Sequence, residues 1–364
     1  MSHILFCATD AGGVRNLVPL VSEVTRQGFE SNFITRASLL PLFPPGFPRH
    51  LILLVEDIQK NFAITFSALQ PIAVICGTTR HPSPDREFLN IASQAGVSGV
   101  AVMDEWYNYS YRFSTEGKRD CFPSAIALPD TQAVREAVAD GLPIELCHAT
   151  GSPSLSALWE IGDSWRAIPP KLPSVLEKNH DRLAVVFLSE THALDYGCQP
   201  GESGLMGPYI GYTETQVRAL ILKALSELPQ HFLFLEKPHP SALGDESPKS
   251  VPNNVEYRLA RGEPTLELCF HSDIIIGMRS MALLEARLLG CHVISFQPGL
   301  VDAERCTAVR LGLINKLNFC EELVVWLKTV IEKNEVSDVI KQPFFARADA
   351  VERVVQLALG DKIK

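Results

Sequence analysis

The sequence is short of positive charge. Lys and Arg total 33 against 42 for Asp and Glu, a net charge of -9 over 364 residues, so no general field draws the chain toward polyanions and nucleic acid is not an expected partner. No stretch approaches the roughly eighteen uninterrupted apolar residues of a membrane span. The N-terminal MSHILFCATDAGG lacks a basic flank and a cleavage site, so it does not read as a secretory signal, and a cytoplasmic protein is the expectation. Nine cysteines (Cys7, Cys76, Cys121, Cys147, Cys198, Cys269, Cys291, Cys306 and Cys320) include no CxxC pair, and several interrupt apolar runs as buried free thiols would. There is no GxGxxG, no short repeat and no low-complexity tract.

What is present is a globular composition, 46% hydrophobic and 21% charged, on a chain too long for one ordinary core. Short runs that are apolar on both faces (HILFCA, SNFIT, LILLVE, IAVIC, VSGVAVM, then SAIAL and ELCHATG) alternate with segments of helical period. That pattern predicts a parallel sheet covered on both sides. RAIPPKLPSVLE, Arg166 to Glu177, reads as a connector, because its three prolines disfavour a continuous helix or a central strand. LAVVFLS, FLFLE, VEYRL, DIIIG and HVISF then restart the series. The expected organisation is α/β: a Rossmann-like domain over 1–166, a linker at 167–177, and a second Rossmann-like domain over 178–364. The two domains would face across a cleft holding the active site, with C-terminal helices at 321–335 and 346–359 closing the structure.

The segment from Asp273 to Pro298 is the most informative. A strand ends at Gly277, a turn carries Met278 and Arg279, and a helix starts near Ser280 with Glu285 five residues on. The free N–H groups of such a helix, with Ser280 and Arg279, suit a phosphate. The bland alternative makes Ser280 an N-cap and Glu285 a solvated residue. The run GMRSMALLEARLLGCHVI from Gly277 resembles the nucleotide-sugar segment of glycosyltransferases of GT-B fold. That resemblance implies that Glu285 accepts bonds from ribose hydroxyls and that the Ser280 turn donates to phosphates. The sequence departs from the family pattern at His292, where proline is common, and at Arg279, where a second small residue is usual.

FLFLEKPHP, Phe232 to Pro240, releases Lys237 and His239 at the end of a strand, about forty residues before the Ser280 turn. It is similar to the His-Pro and Ser motifs of bacterial sialyltransferases and capsule-type transferases. The resemblance implies that His239 holds a donor phosphate and steadies the nucleotide leaving group. Otherwise it is a surface turn residue.

In the first half, CATDAGGVRN places Asp10, Gly12, Gly13, Arg15 and Asn16 between the first strand and its helix, where glycines let a ligand approach the backbone. The stretch is similar to the glycine-rich first loop of GT-B acceptor domains. Asp10 is either a general base toward an acceptor hydroxyl or a helix cap. VAVMDEWYNYSYRF supplies Asp104, Glu105, Trp106, Tyr107 and Asn108, the aromatic faces, carboxylates and amides that bind a sugar or, alternatively, a domain interface. Asp104 is the rival base. The GTTRHP loop, Gly77 to Pro82, would line the same cleft. A Gly-rich segment with Glu190, His192, Asp195 and Tyr196 follows the first strand of the second half and reads as a lid over the donor.

The leading expectation is a glycosyltransferase that moves a sugar from a nucleotide-sugar co-substrate to a small-molecule or glycan acceptor. No obligatory metal or cofactor is expected, since His192 and Asp195 lack a companion with ligand spacing. The alternatives are a nucleotide-sugar 2-epimerase or hydrolase of the same fold, whose usual Ser-Gly-Gly and Gln-Glu-Glu pattern is absent around Ser280, and a non-catalytic nucleotide-binding protein.

Overall fold

The computed structural model describes residues 2–58, 61–79, 82–177, 181–242, 247–333 and 340–360. It forms two compact units, Met1–Glu160 with Gln342–Lys364, and Ile161–Lys341.

The first unit is built on β1 (His3–Cys7), α1 (Ala11–Arg26), β2 (Glu30–Thr35), β3 (Ile52–Leu54), α2 (Phe62–Leu69), β4 (Ala73–Cys76), α3 (Pro84–Gln94) and β5 (Ser98–Val102). It continues through a two-residue pair, β6 (Ser114–Thr115) and β7 (Lys118–Arg119), to β8 (Ala125–Leu128), α4 (Thr131–Ala139), β9 (Cys147–Ala149) and α5 (Pro153–Ala167). Seven strands form a parallel sheet in the order β3-β2-β1-β4-β5-β8-β9. Ile4 to Cys7 and Ala73 to Cys76 are wholly buried, as strands covered on both faces must be. On α1 the apolar stripe Val14, Leu17, Val21 and Val24 recurs at helical spacing and packs on this sheet.

The second unit runs β10 (Leu183–Leu188), α6 (His192–Tyr196), α7 (Glu214–Ser226), β11 (Phe232–Lys237), β12 (Val255–Leu259), α8 (Thr265–Phe270) and β13 (Ile274–Gly277). There follow α9 (Met281–Leu288), β14 (Val293–Phe296), α10 (Thr307–Arg310), β15 (Lys316–Leu317) and α11 (Cys320–Lys333). Its parallel sheet has the order β12-β11-β10-β13-β14-β15. Phe187, Phe234, Ile276 and Phe296 on the strands pack with Val217, Ile221 and Leu225 of α7 and Leu323 and Leu327 of α11.

Two features correct the expected organisation. The last helix, α12 (Ala350–Leu359), belongs to the first unit and not to the second domain expected over 178–364. Its Val354, Val355, Ala358 and Leu359 bury against Ile4, Val14, Leu17 and Val100, and an amphipathic stripe carries no mark of which sheet it will cover. The division between units also falls inside α5, ahead of the prolines. The 167–177 stretch is bound to the second unit: Arg258 Nη1 donates to Val175 O at 2.6 Å and His271 Nε2 meets Pro170 O at 2.8 Å. Eight cysteines are buried thiols and Cys198 is exposed. Residues 334–335 of the expected 321–335 helix lie outside the described residues. Among the described residues, no helix is long and apolar enough to cross a membrane.

Candidate active site

In a doubly wound sheet a ligand crevice opens where strand order reverses, outside the carboxyl ends of the two central strands. That point lies between β1 and β4 in the first unit and between β10 and β13 in the second. A polar cluster occupies each.

In the first unit β1 runs on into Thr9 and Asp10, and β4 into Gly77, Thr78 and Thr79. Asp10 is the N-cap of α1: Oδ1 accepts from Gly13 N at 2.7 Å, and Oδ2 accepts from Thr79 Oγ1 at 2.9 Å. Burial raises its carboxyl above the ordinary range, the charge of Asp104 adds to this, and the Gly13 and Thr79 bonds act against it. Asp104, just beyond β5, accepts from Arg112 Nη1 at 2.9 Å. Its Oδ2 lies so close over Gly12 that a Cβ there would stand 1.8 Å away. This is one place where glycine is required for approach.

Arg112 gathers the cluster. Its Nη1 also donates to Thr78 Oγ1 at 2.7 Å, and its Nη2 donates to Glu105 Oε2 at 3.2 Å. Glu105 is pushed up to about 7, by burial first and by Asp104 second, with Arg112 opposing. Beneath them Asp85, at the start of α3, is fully buried and accepts from the Thr9 hydroxyl on Oδ2. Its Oδ1 has no hydrogen-bond partner. Burial raises this carboxyl to about 7, and Asp10 adds to the effect.

Not every residue expected here faces a ligand. Trp106 is 1% exposed, donates from Nε1 to Asp130 Oδ2 at 2.9 Å and meets Phe345 edge-on. It offers no free face to a sugar, because its stem is core and its one donor is used. Asn16 is 1% exposed, and its Oδ1 accepts from Ser152 Oγ and Ser154 N, fixing the start of α5. Asn108 is half-buried with a φ of 58°, and Arg15 lies exposed on α1. Arg80 and His81 of the GTTRHP loop are outside the described residues.

In the second unit the turn after β13 is fixed from behind: Ser295 Oγ donates to Met278 O at 2.6 Å, and Gln297 Nε2 donates to Ser295 Oγ at 2.8 Å. Ser280 caps α9, its Oγ accepting from Ala282 N at 3.2 Å. The main-chain donors of Arg279 and Ser280 are taken by this chain's own Glu190, whose Oε1 accepts from them at 2.6 and 3.0 Å. Glu190 Oε2 lies 3.2 Å from His192 Nε2. Burial alone would raise the Glu190 carboxyl, but His192, the Arg279 amide and the Arg279 charge hold it below the ordinary range.

The Arg279 guanidinium lies 5.0 Å over the Tyr196 ring and 3.6 Å from Asp302 Oδ2. Glu285 is half-buried on α9; the Cys269 thiol on α8 is pushed up by burial first, with Cys291 and then Glu285 adding to it. Lys237 ends β11 and donates to Glu263 O at 2.6 Å, with burial lowering its pKa. His239 is exposed, its Nδ1 2.6 Å from Ser241 Oγ. A pocket of about 380 Å³ at the ends of β10 to β12 is lined by Ser189, Glu190, Thr213, Arg218, Pro238 and Arg261 among others.

The Gly-rich segment is folded into the second unit. Ser203 bridges to Pro208, Ile210 and Tyr212 are core residues, and Gly211, at a φ of 112°, lies against Gly299 O. Among the described residues, no three His, Cys, Asp or Glu side chains converge as metal ligands would.

Sequence reading passed over Asp85, took Thr9, Thr79 and Arg112 only as parts of longer stretches, and named His192 as part of a lid. SPDRE does signal a helix start, but nothing in it tells that Asp85 reaches Thr9, 76 residues away.

No protein-family model and no curated protein matches the sequence. Solved structures do match in fold. UDP-GlcNAc 2-epimerase from Neisseria meningitidis, bound to UDP-GlcNAc, has a TM-score of 0.61 and 14% identity, over 98% of this chain and 99% of its own. UDP-N-acetylglucosamine 2-epimerase from Rickettsia bellii has a TM-score of 0.62 and 15% identity, over 100% and 98%. MurG of Acinetobacter baumannii has a TM-score of 0.52 and 12% identity, over 98% and 99%. The fold is that of the GT-B proteins. The likeness in fold spans 98–100% of the chain.

Proposed function

We propose that this GT-B protein is an enzyme that binds a nucleotide sugar and epimerises or hydrolyses it without a separate acceptor. The observation that carries the reading is the carboxyl cluster of the first unit. Asp10, Glu105 and Asp85 all have raised carboxyl pKa values, the latter two to about 7, and the Arg112 guanidinium bonds Asp104 and Glu105. Carboxyls near neutrality are suited to giving and taking protons, whereas plain binding of a sugar asks only for hydrogen bonds. Whole-length likeness to two UDP-GlcNAc 2-epimerases supports the same choice over transfer to an acceptor.

The chemistry follows from the sugar. C2 of a pyranose has no adjacent carbonyl, so its proton leaves together with the nucleotide. A base takes the proton, the C2–H electron pair becomes a C1–C2 double bond, and the nucleoside diphosphate departs with the C1–O pair. Epimerisation returns a proton to the opposite face of C2 as the C1–O bond re-forms. Hydrolysis instead returns the proton to C2 while water oxygen bonds to C1 and the water's proton passes to the base. Asp10 serves as the base, with Asp104 and Glu105 orienting hydroxyls and supplying the returning proton. Within the second unit, Arg279, Ser280, Glu285, His239 and Lys237 are the groups proposed for a nucleotide. These steps need no metal and no further cofactor.

The test is acceptor-free turnover in D₂O with UDP-GlcNAc and a panel of UDP-, GDP- and CMP-sugars, read by proton and phosphorus NMR. Deuterium at C2, or release of the nucleotide with free sugar, is expected. Nucleotide sugars left intact throughout, or consumed only when an acceptor is added, would overturn the reading.

A further inference from the structure

The turn that begins α9 has an anion in it already. Glu190 Oε1 takes the amides of Arg279 and Ser280, and Glu190 Oε2 faces His192 Nε2. These are the donors that a phosphate would use at a helix N-terminus. The neighbouring guanidinium is under-used: the Arg279 side chain is 6% exposed, Nη1 makes no hydrogen bond, and the paired Asp302 oxygen is 3.6 Å away. Donor capacity at this spot therefore exceeds what one carboxylate satisfies. Beside it lies the 380 Å³ pocket, which Glu190 also lines, so its side chain has open space into which to turn.

We infer that Glu190 is a built-in competitor for ligand phosphate: it fills the phosphate position at the α9 turn, and a phosphate-bearing ligand binds by displacing it. Glu190 thus sets affinity and selects ligands. A ligand must offer more to two amides, an imidazole and a guanidinium than a carboxylate does, and a phosphate group has the charge and the oxygens to do so. The substrate as a nucleotide sugar rests on the reading above; the displaced carboxylate does not, because inorganic phosphate tests it alone.

Calorimetric titration of the full chain with inorganic phosphate and with UDP, comparing wild type with Glu190→Ala and Glu190→Gln, decides it. The alanine variant is expected to bind phosphate about tenfold tighter or more, since the competing anion is gone. The glutamine variant keeps an acceptor oxygen for both amides, and hence the fold, and is expected to gain a smaller factor from loss of charge. A merely structural glutamate would weaken binding when removed. Phosphate affinity unchanged or reduced in both variants overturns the inference. Tighter phosphate with no binding of UDP in any version sustains it and overturns the nucleotide reading instead.

Discussion

Replacing Asp85 by Asn probes the most deeply buried charge of the candidate site. The Asp85 carboxyl is fully buried, one oxygen accepts from Thr9, and the other has no partner. A buried carboxylate oxygen with no donor is costly, so the folded protein favours the protonated acid. Burial, with Asp10 adding to it, moves the pKa from 3.8 to about 7. Because the folded-state value is the higher one, the folded protein binds the extra proton. Stability from this group is whole below about pH 4 and is lost as pH rises through 7.

From these values the wild type forfeits about 4 kcal/mol by pH 8 and only about 1 kcal/mol at pH 4.5. Asparagine is neutral throughout. Its NH₂ would stand where Oδ1 has no partner, a cost of about 1–3 kcal/mol that does not depend on pH. Urea unfolding of both proteins at pH 4.5 and pH 8, followed by far-ultraviolet circular dichroism, should show the variant gaining about 3 kcal/mol on the wild type between the two pH values. A stability difference that stays constant with pH would mean that Asp85 is ionised in the folded protein, and the account of the site floor would fall.

Arg112→Met strips Asp104 and Glu105 of their shared, largely buried partner; thermal unfolding should register a loss of about 3–5 kcal/mol, and a loss below about 1 would refute the pairing. Gly12→Ala puts a Cβ 1.8 Å from Asp104 Oδ2, so turnover should fall about tenfold or more as Asp104 is pushed off Arg112, and unchanged kinetics would show that the approach is not needed. Asp10→Asn should cut turnover about 100-fold with nucleotide affinity retained, while Asp104→Asn should mainly raise the sugar KM; near-normal turnover in the first, with collapse only in the second, moves the base to Asp104. Gly211→Ala combines a φ of 112° with a Cβ 2.0 Å from Gly299 O and should cost at least about 2 kcal/mol in denaturant unfolding; a neutral effect would contradict the backbone packing there.

The sequence by itself determined the α/β class and nearly every sheet strand, because a strand buried on both faces reads as a continuous apolar run wherever it lies in the fold. It also determined the starts of α1, α4 and α9, since Asp10, Asp130 and Ser280 are caps whose bonds reach only two or three residues ahead. The two-residue strands β6, β7 and β15 left no such mark. Tertiary structure alone decided the rest, because the deciding contacts join residues far apart in the chain. It sent α12 back to the first unit, where an exposed apolar sheet face was available. It turned Trp106 and Asn16 into core residues, giving Trp106 Nε1 and Asn16 Oδ1 internal partners. Glu190 and the Ser280 turn were each visible as polar segments, yet 90 positions separate them. Only the folding of β10 beside β13 brings that carboxylate onto the amides that sequence reading had reserved for a phosphate.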